Sequence, residues 1–189
     1  MHASWLNFLQ RHGAQFGADG VAHYGDPAAE LRAAEHGTVL ADLSQEGLIR
    51  VDGEDARAFL QGQLSTDLLA LTPLSSQLSS WNNAKGRVVT LLRLSEREGA
   101  IYMTLPQALT TLVLKRLSMY LLRSKVSLID VSDTLIHFGV AGRNAPVLLA
   151  ACDWPAPAEV NAVAVKDSVT LIRLHGDTPR FVLQGEPDK

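Results

Sequence analysis

The alternation of apolar and polar positions predicts a mixture of short helices and strands in the first half of the chain. Trp5, Phe8 and Leu9 recur at helical spacing near the start of the sequence. The stretch from Pro27 to Gly37 has proline where a helix would begin and glycine where it would end. "GLIRVDG" alternates as a strand does, and "DGEDARAFLQGQL" after it predicts a helix with acidic residues in its first turn.

The second half of the sequence continues this mixture with a longer helix. We expect Pro106 to open a helix in which Leu109, Val113 and Leu117 form one apolar stripe, and which ends near Ser124. The pattern also predicts a helix over residues 144–152 and strands over residues 76–81, 87–94, 100–105, 125–131, 134–141, 160–165, 169–174 and 180–184.

The order of these elements predicts an α+β fold. From Ile101 onward the order is β-α-β-β-α-β followed by two more strands, which is the order of a ferredoxin-like, or split βαβ, subdomain with an extension. We therefore expect two subdomains, an N-terminal α+β subdomain over residues 1–98 and a ferredoxin-like subdomain over residues 99–189. Element order defines a fold and names no chemistry.

Composition limits the classes of protein to consider. The chain has 189 residues, of which 47% are hydrophobic, and this is enough for a packed core. Its apolar runs are far shorter than the roughly 20 residues that cross a bilayer, and the first ten residues do not resemble a secretion signal. A single cysteine, Cys152, excludes a disulfide within the chain. We expect a soluble cytoplasmic protein with no membrane partner.

Charge is distributed unevenly along the sequence. The formal net charge is −3, yet residues 85–125 contain eight Lys or Arg against only Glu96 and Glu98, so that this segment carries +6 and the rest −9. A local positive field attracts anions such as phosphates or polycarboxylates. The alternative is a solvated face whose charges are balanced by acidic neighbours in the fold.

The usual catalytic constellations are missing. The six histidines are scattered without a pair at i, i+4, so no metal site is predicted. His137 lies on an alternating strand and is interpreted as structural. Cys152 is predicted to be a buried, inert thiol, because nothing near it in the sequence would lower its pKa.

One polar stretch between two apolar runs is the best candidate for a site. Amide, hydroxyl and carboxylate side chains cluster after the predicted helix and before the next strand, at Gln61, Gln63, Thr66, Asp67 and Asn83. Such groups suit a flat heteroaromatic ligand with mixed donor and acceptor edges. Lys85 and Arg87 could hold an anionic tail. The alternative is that Gln61, Thr66 and Asn83 only cap helices and tie turns.

Two phrases in this stretch resemble a known family. "FLQGQLSTD", followed after a short loop by "NAKGRV", resembles the YgfZ branch of the glycine-cleavage T-protein-like, folate-binding family, in which FLQGQ-x-(T/S)-x-D precedes N-A-K-G-R at about this distance. "FGVAGRNA" and "TPRFVLQG" look like later landmarks of the same family. The resemblance therefore spans about Leu40 to Gly185 and implies a T-protein-like N-terminal region.

The resemblance implies a folate-binding accessory protein of iron–sulfur cluster assembly or repair and of tRNA modification. Its cofactor would be tetrahydrofolate or another folate derivative, and iron–sulfur enzymes and tRNA would be its macromolecular partners. Residues 1–98 would be the folate-binding subdomain. The cofactor-binding positions that match the family's phrases are Gln61, Gln63, Thr66, Asp67, Asn83, Lys85 and Arg87, together with Gly62 and Gly86.

Two departures from the family pattern bear on catalysis. The Asp pair of true aminomethyltransferases falls here at Thr90 and Leu91, so the acid that their chemistry needs is missing and no catalytic residue is assigned. The family's Cys-containing K-G-C-Y-x-G-Q-E phrase and its C-terminal β-barrel would lie beyond Lys189, so we expect this chain to lack them. A folate-dependent aminomethyl or one-carbon transferase and an RNA-binding module remain the alternative functions.

Overall fold

The computed structural model describes residues 1–18 and 20–186 as an α+β protein whose strand pairs are all antiparallel. Its helices are α1 (Ala3–Arg11), α2 (Pro27–His36), α3 (Ala56–Gln61), α4 (Gln107–Ser118) and α5 (Ala145–Ala151), with a 3₁₀ turn at Leu68–Ala70. Its strands are β1 (Gln15–Gly17), β2 (Gly20–His23), β3 (Thr38–Asp42), β4 (Glu46–Asp52), β5 (Ser76–Asn82), β6 (Val88–Arg97), β7 (Ala100–Pro106), β8 (Ser127–Asp130), β9 (Ile136–Gly142), β10 (Val163–Lys166), β11 (Val169–Leu174) and β12 (Arg180–Gly185).

The chain forms two compact units. Unit 1 consists of Met1–Gln45 and Asp133–Lys189, and unit 2 is the continuous segment Glu46–Ser132. The subdomain boundary expected between residues 98 and 99 lies in the turn that joins β6 to β7, and these two strands pair with each other in one sheet. A division there would separate two hydrogen-bonded strands, so the compact units follow the sheets and not the order along the chain.

Unit 2 is built on a five-stranded sheet with the order β5-β6-β7-β4-β8. Both β7 and β8 are antiparallel to β4, so they are parallel to each other, and α4 connects them as a split βαβ arrangement. α4 packs against β4, and its buried Val113 and Leu117 join a core that also contains Phe59 and Leu60 of α3 and Trp81 of β5.

Unit 1 contains a second five-stranded sheet with the order β10-β11-β12-β9-β3, besides the β1–β2 hairpin. Along the chain, unit 1 contains β9, α5, β10, β11 and β12 in the same order of helix and strands as β4, α3, β5, β6 and β7 in unit 2. The remaining helix and strand come last in unit 2, as α4 and β8, but first in unit 1, as α2 and β3. The two sheets thus share one strand order in circularly permuted form.

The predicted helices and strands are largely confirmed. The order predicted from Ile101 is present, but β7, α4 and β8 belong to unit 2 and the strands from β9 onward to unit 1. The predicted end of α4 near Ser124 is wrong: the helix ends at Ser118, and Leu122 has a φ of 44°, which an α-helix cannot include. The sequence pattern missed β1, β2 and β3, which are short and have no buried residue.

Two further observations concern expectations about chemistry and environment. Cys152 is exposed at the end of α5, so the prediction of a buried thiol is wrong. No helix within residues 1–18 and 20–186 combines the length and the apolar character that a membrane span requires.

Candidate functional site

The first polar phrase runs along the edge of β5 in unit 2. It leaves the C-terminus of α3, and Leu64 forms an isolated antiparallel bridge with Trp81 of β5. The N–H of Ser65 donates to the carbonyl of Ser80 at 3.1 Å, and the N–H of Ser80 donates back to Ser65 Oγ at 3.0 Å. The buried Leu60 and Trp81 on either side of this contact anchor the segment to the core.

Two predicted site residues use their side-chain oxygens to hold the turn that follows. Gln61 Oε1 accepts a hydrogen bond from the N–H of Leu68 at 2.6 Å. Asp67 Oδ1 accepts from the N–H of Leu69 at 3.0 Å and so caps the 3₁₀ turn, while the Asp67 carbonyl accepts from Gln77 Nε2 at 3.0 Å. These contacts give Gln61 and Asp67 a structural role.

The side chains of Thr66 and Gln63 differ in their hydrogen bonding. Thr66 Oγ1 donates to Ser79 Oγ at 3.0 Å, and Ser79 lies buried on β5. Gln63 is half-buried, and its side-chain amide has no hydrogen-bond partner among residues 1–18 and 20–186. Gln63 therefore keeps a donor and an acceptor that a ligand could use.

The second phrase forms the turn of the β5–β6 hairpin, and Asn83 organises it. Asn83 Oδ1 accepts from the N–H groups of Lys85 and Arg87, at 2.9 and 3.1 Å. The backbone of Asn83 also bonds Gly86 and Arg87 across the turn. Because Oδ1 is occupied, the exposed Nδ2 is the group of Asn83 that remains for a ligand.

Lys85 and Arg87 lie exposed on this turn. Neither has an ion-pair or hydrogen-bond partner for its side chain among the described residues. Gly86 between them has a φ of 73°, a conformation that favours glycine, and a Cβ there would meet nothing within 4 Å. The turn thus presents two cations on an open surface.

The direction of the backbone decides which of the seven predicted residues lie together. Because the first phrase runs antiparallel to β5, Ser65 faces Ser80 and Thr66 reaches Ser79, while Asp67 is bonded to Gln77. The same direction takes Gln63 towards the hairpin turn. Gln63, Asn83, Lys85 and Arg87 therefore lie at one end of β5, and Thr66 and Asp67 lie progressively further along it.

The two positions that stand in place of the family's Asp pair have different surroundings. Thr90 is 4% exposed, and its Oγ1 donates to the carbonyl of Leu91 at 2.8 Å. Leu91 is 58% exposed and lies opposite Ser80 on β5, and Leu78 on the same strand is equally exposed. The outer face of this hairpin therefore carries two exposed leucines and has no carboxylate at these positions.

Sequence reasoning missed the arginine that supports the polar turn. Arg57 of α3 forms an ion pair with Glu96 of β6 at 2.6 Å, and its Nη1 donates to the carbonyls of Leu68 and Leu71, the latter at 3.0 Å. Glu96 is one of only two carboxylates in residues 85–125, so its pairing with Arg57 does not balance the cations of that segment. Nothing in the sequence pattern of α3 distinguishes Arg57 from a solvent-facing helical residue.

A second pair of partly buried opposite charges in unit 2 was also missed. Burial raises the pKa of Glu46, and nearby Arg93 partly offsets this effect. Burial likewise lowers the pKa of Arg93, and Glu46 opposes that shift. Arg93 Nη1 donates to Ser76 Oγ at 2.9 Å. Glu46 begins β4 and Arg93 lies on β6, and the spacing of the two residues along the sequence does not predict that they approach each other.

Metal ligation finds no support in the described residues. The part of the chain that the structure describes contains no group of three or more His, Cys, Asp or Glu residues arranged to hold an ion. The site consists instead of amides, hydroxyls and two exposed cations, a set that can bind a polar, anionic organic ligand.

Comparison with known proteins defines the class to which this fold and site belong. The family model for the GCVT N-terminal domain matches residues 9–184. The chain belongs to this family. It is similar in structure to the glycine cleavage system aminomethyltransferase T from Bartonella henselae, with a TM-score of 0.84, 17% identity, and coverage of 98% of this chain and 54% of that chain.

Relatives of similar sequence carry one recurring name. A tRNA-modifying protein YgfZ from Colwellia psychrerythraea is 30% identical over 146 residues, which cover 77% of this chain and 45% of the relative. The protein of the same name from Klebsiella pneumoniae is 30% identical over 149 residues, covering 79% of this chain and 45% of the relative. The chain thus matches slightly less than half the length of these relatives.

Proposed function

We propose that this chain is the folate-binding part of a YgfZ-type accessory protein that serves tRNA modification and iron–sulfur cluster assembly or repair. Tetrahydrofolate, or a derivative of it, is the proposed ligand. The cytoplasm is the proposed location, because its reducing conditions suit a chain with one exposed cysteine.

The single observation that carries the proposal is the grouping at the hairpin end of β5. Within the described part of the chain, the Gln63 side chain and Asn83 Nδ2 have no hydrogen-bond partner, and the neighbouring cations Lys85 and Arg87 have no ion-pair partner. A pterin has donor and acceptor edges that amides can match, and the glutamyl tail of folate carries carboxylates that Lys and Arg can hold. The exposed Leu78 and Leu91 offer apolar surface to the flat part of the ligand.

The seven proposed binding positions divide into two roles. We infer that Gln63, Asn83, Lys85 and Arg87 contact folate. Gln61, Thr66 and Asp67 support them by fixing the course of the segment along β5. The names of the YgfZ relatives support the tRNA-modification part of the proposal, and the resemblance of the binding phrases supports the link to iron–sulfur enzymes.

Calorimetry with tetrahydrofolate tests the proposal. The titration is made on this chain and on a version extended to the length of the YgfZ relatives. We expect saturable binding with one ligand per chain, tighter in the longer protein if the added part covers the hairpin. Absence of binding by both proteins would overturn the proposal.

The structural likeness to an aminomethyltransferase supports one alternative, a folate-dependent one-carbon transferase. Thr90 cannot ionise near neutral pH, and Leu91 beside it is apolar. Purified protein should therefore release no ammonia from an aminomethyl donor and form no methylene-tetrahydrofolate. Folate-dependent turnover above background would promote this alternative.

The exposed cations of the hairpin support a second alternative, an RNA-binding module. Binding to tRNA phosphates would weaken steeply with salt, because each phosphate contact releases counterions. Folate binding that rests on amide hydrogen bonds would weaken much less. A salt titration with tRNA and with tetrahydrofolate separates the two modes.

A further inference from the structure

Unit 1 contains a cavity of about 610 Å³ that includes none of the candidate folate-binding residues. Its walls come from α1, from β9 and β12, and from the loop after α5. Cavities of about 300–1,000 Å³ are typical of small-molecule sites. The volume is therefore enough for a ligand of the size of a nucleotide.

Aromatic side chains form much of the wall. The rings of Trp5 and Phe8 are stacked with centroids 5.2 Å apart and an interplanar angle of 7°, and Trp5 also stacks on Phe138 at 5.9 Å. Trp5 Nε1 donates to Asp42 Oδ1 at 2.7 Å, which fixes the orientation of the indole ring. Trp154 adds a further aromatic ring to the lining. This wall is preorganised for contact with a flat ring.

Two charged side chains line the same cavity. Arg11 at the end of α1 and Glu186 after β12 are both exposed, and neither has an ion-pair partner among residues 1–18 and 20–186. An unpaired guanidinium presents a planar fork of donors that matches phosphate. An unpaired carboxylate accepts hydrogen bonds from N–H groups. The ligand should therefore combine a flat ring, an amine on that ring and an anion.

We propose that this cavity binds a nucleobase that carries an exocyclic amine and a phosphate, as in adenylate. The ring lies against the aromatic wall, Arg11 binds the phosphate and Glu186 accepts from the amine. The same chemistry is offered by a free mononucleotide and by a nucleotide within single-stranded RNA. The proposal does not depend on folate binding, because the cavity lies within unit 1 and the hairpin within unit 2.

Titration of tryptophan fluorescence tests this site. Trp5 and Trp154 line the cavity, so AMP should change the emission in a saturable manner. Adenosine, which lacks the phosphate, should bind about tenfold more weakly, and ribose 5-phosphate, which lacks the ring, should not bind. A short single-stranded oligoadenylate that binds much more tightly than AMP would assign the site to RNA, whereas equal affinities would assign it to the free nucleotide. No response to either AMP or the oligonucleotide would overturn the proposal.

Matched variants identify the residues responsible. Arg11→Gln should weaken AMP binding about tenfold and leave adenosine binding unchanged, whereas Arg32→Gln, at an exposed arginine of α2 outside the cavity, should change neither. Phe8→Ala should weaken both ligands, and Phe16→Ala on β1 should weaken neither. Phe8 and Phe16 are 47% and 40% exposed, so both variants are expected to fold. Equal effects of Arg11→Gln and Arg32→Gln would contradict the assigned phosphate contact.

A cross-titration keeps this proposal separate from the proposed function. Arg11→Gln should leave the affinity for tetrahydrofolate unchanged, and removal of the charges of Lys85 and Arg87 should leave the affinity for AMP unchanged. Loss of tetrahydrofolate binding in Arg11→Gln would make the cavity the folate site and would overturn the assignment of a distinct nucleotide site. Failure of AMP binding with tetrahydrofolate binding intact would overturn only the nucleotide site.

Discussion

The side-chain oxygen of Gln61 accepts a hydrogen bond from the backbone N–H of Leu68, with 2.6 Å between the two atoms. This contact spans the first polar phrase and closes it into a turn. A residue that the family phrase marks as ligand-binding is therefore committed to holding the segment in place. The same question, whether a residue supports the site or contacts the ligand, arises for each position and can be answered by stability and affinity measured together.

Asp67 is expected to support the fold of the site. Asp67→Ala removes the cap of the 3₁₀ turn and should lower the free energy of unfolding by about 0.5–2 kcal/mol. The affinity for tetrahydrofolate, measured where both proteins are folded, should not change. Asp67→Asn keeps a capping oxygen and should recover most of the stability. A large loss of affinity in a stably folded Asp67→Asn would assign Asp67 to the ligand instead.

Asn83 is expected to contact folate through Nδ2. Asn83→Asp keeps the oxygen that accepts from Lys85 and Arg87 but replaces the donor, so it should retain the melting temperature of the apo protein. It should weaken tetrahydrofolate binding by about 0.5–1.5 kcal/mol, the worth of one hydrogen bond, and so reduce the thermal shift that the ligand produces. Asn83→Ala should lower both quantities. A full ligand shift in Asn83→Asp would show that the amide nitrogen is not part of the site.

Lys85 and Arg87 are expected to hold the glutamyl tail. Lengthening that tail should tighten binding, and Lys85→Gln with Arg87→Gln should cancel the gain. Each lost contact should cost about 1.5–3 kcal/mol if folate desolvates it, and less than about 1 kcal/mol if it stays exposed. The pair Lys115→Gln and Arg116→Gln on α4 removes the same charge from another exposed surface and is the control. Equal affinities of the wild-type protein for mono- and polyglutamates would contradict this role.

His137 should make the fold sensitive to acid. Burial lowers its pKa from 6.5 to about 4, and the charge of Asp42 only partly opposes this shift. The unfolded chain therefore binds a proton that the native state excludes. Stability should be complete above about pH 6.5 and should fall as the pH drops towards 4, by on the order of 3 kcal/mol from this group.

Urea unfolding between pH 8 and pH 4 measures this effect. Neither ring nitrogen of His137 has a hydrogen-bond partner among the described residues, so His137→Leu should fold and should flatten the pH dependence of the unfolding free energy. His36→Leu, at an exposed histidine of α2, should retain the wild-type profile. Parallel profiles for all three proteins would show that His137 does not cause the acid sensitivity.

Sequence periodicity predicted the elements that bury residues, because burial is what creates a pattern. α4 and the strands β4 to β7 each place apolar side chains on a core face, and each was predicted. The strands were predicted close to their observed bounds, whereas α4 ends at Ser118 and not near Ser124. All five residues of β3 are exposed or half-buried, so burial has left no alternating apolar pattern in its sequence. The pattern also could not show that β3 returns to pair with β9, because pairing across the chain leaves no local signal.

For the candidate site, the sequence identified residues with suitable donor and acceptor groups. It did not show which of these groups are used by hydrogen bonds within the fold. The two phrases located the segment that carries the candidate residues, between the predicted helix and the next strands. Whether Asn83 directs its oxygen inwards or outwards depends on the backbone N–H groups of the turn, which residue identity does not specify. Arg57 reaches Glu96 and Leu71 from another element, so only the folded chain reveals it.

Because the strand order is permuted, the strands of the two sheets become available for pairing in a different order during synthesis. Unit 2 is continuous, so β8 can join β4 as soon as residues up to Ser132 have left the ribosome. β3 is made earlier than all of unit 2, yet β9, the strand with which it pairs, begins at Ile136. While unit 2 closes its sheet, β3 therefore still lacks the strand with which it pairs. The entropic cost of then bringing β3 and β9 together is smaller if the segment between them has already become compact.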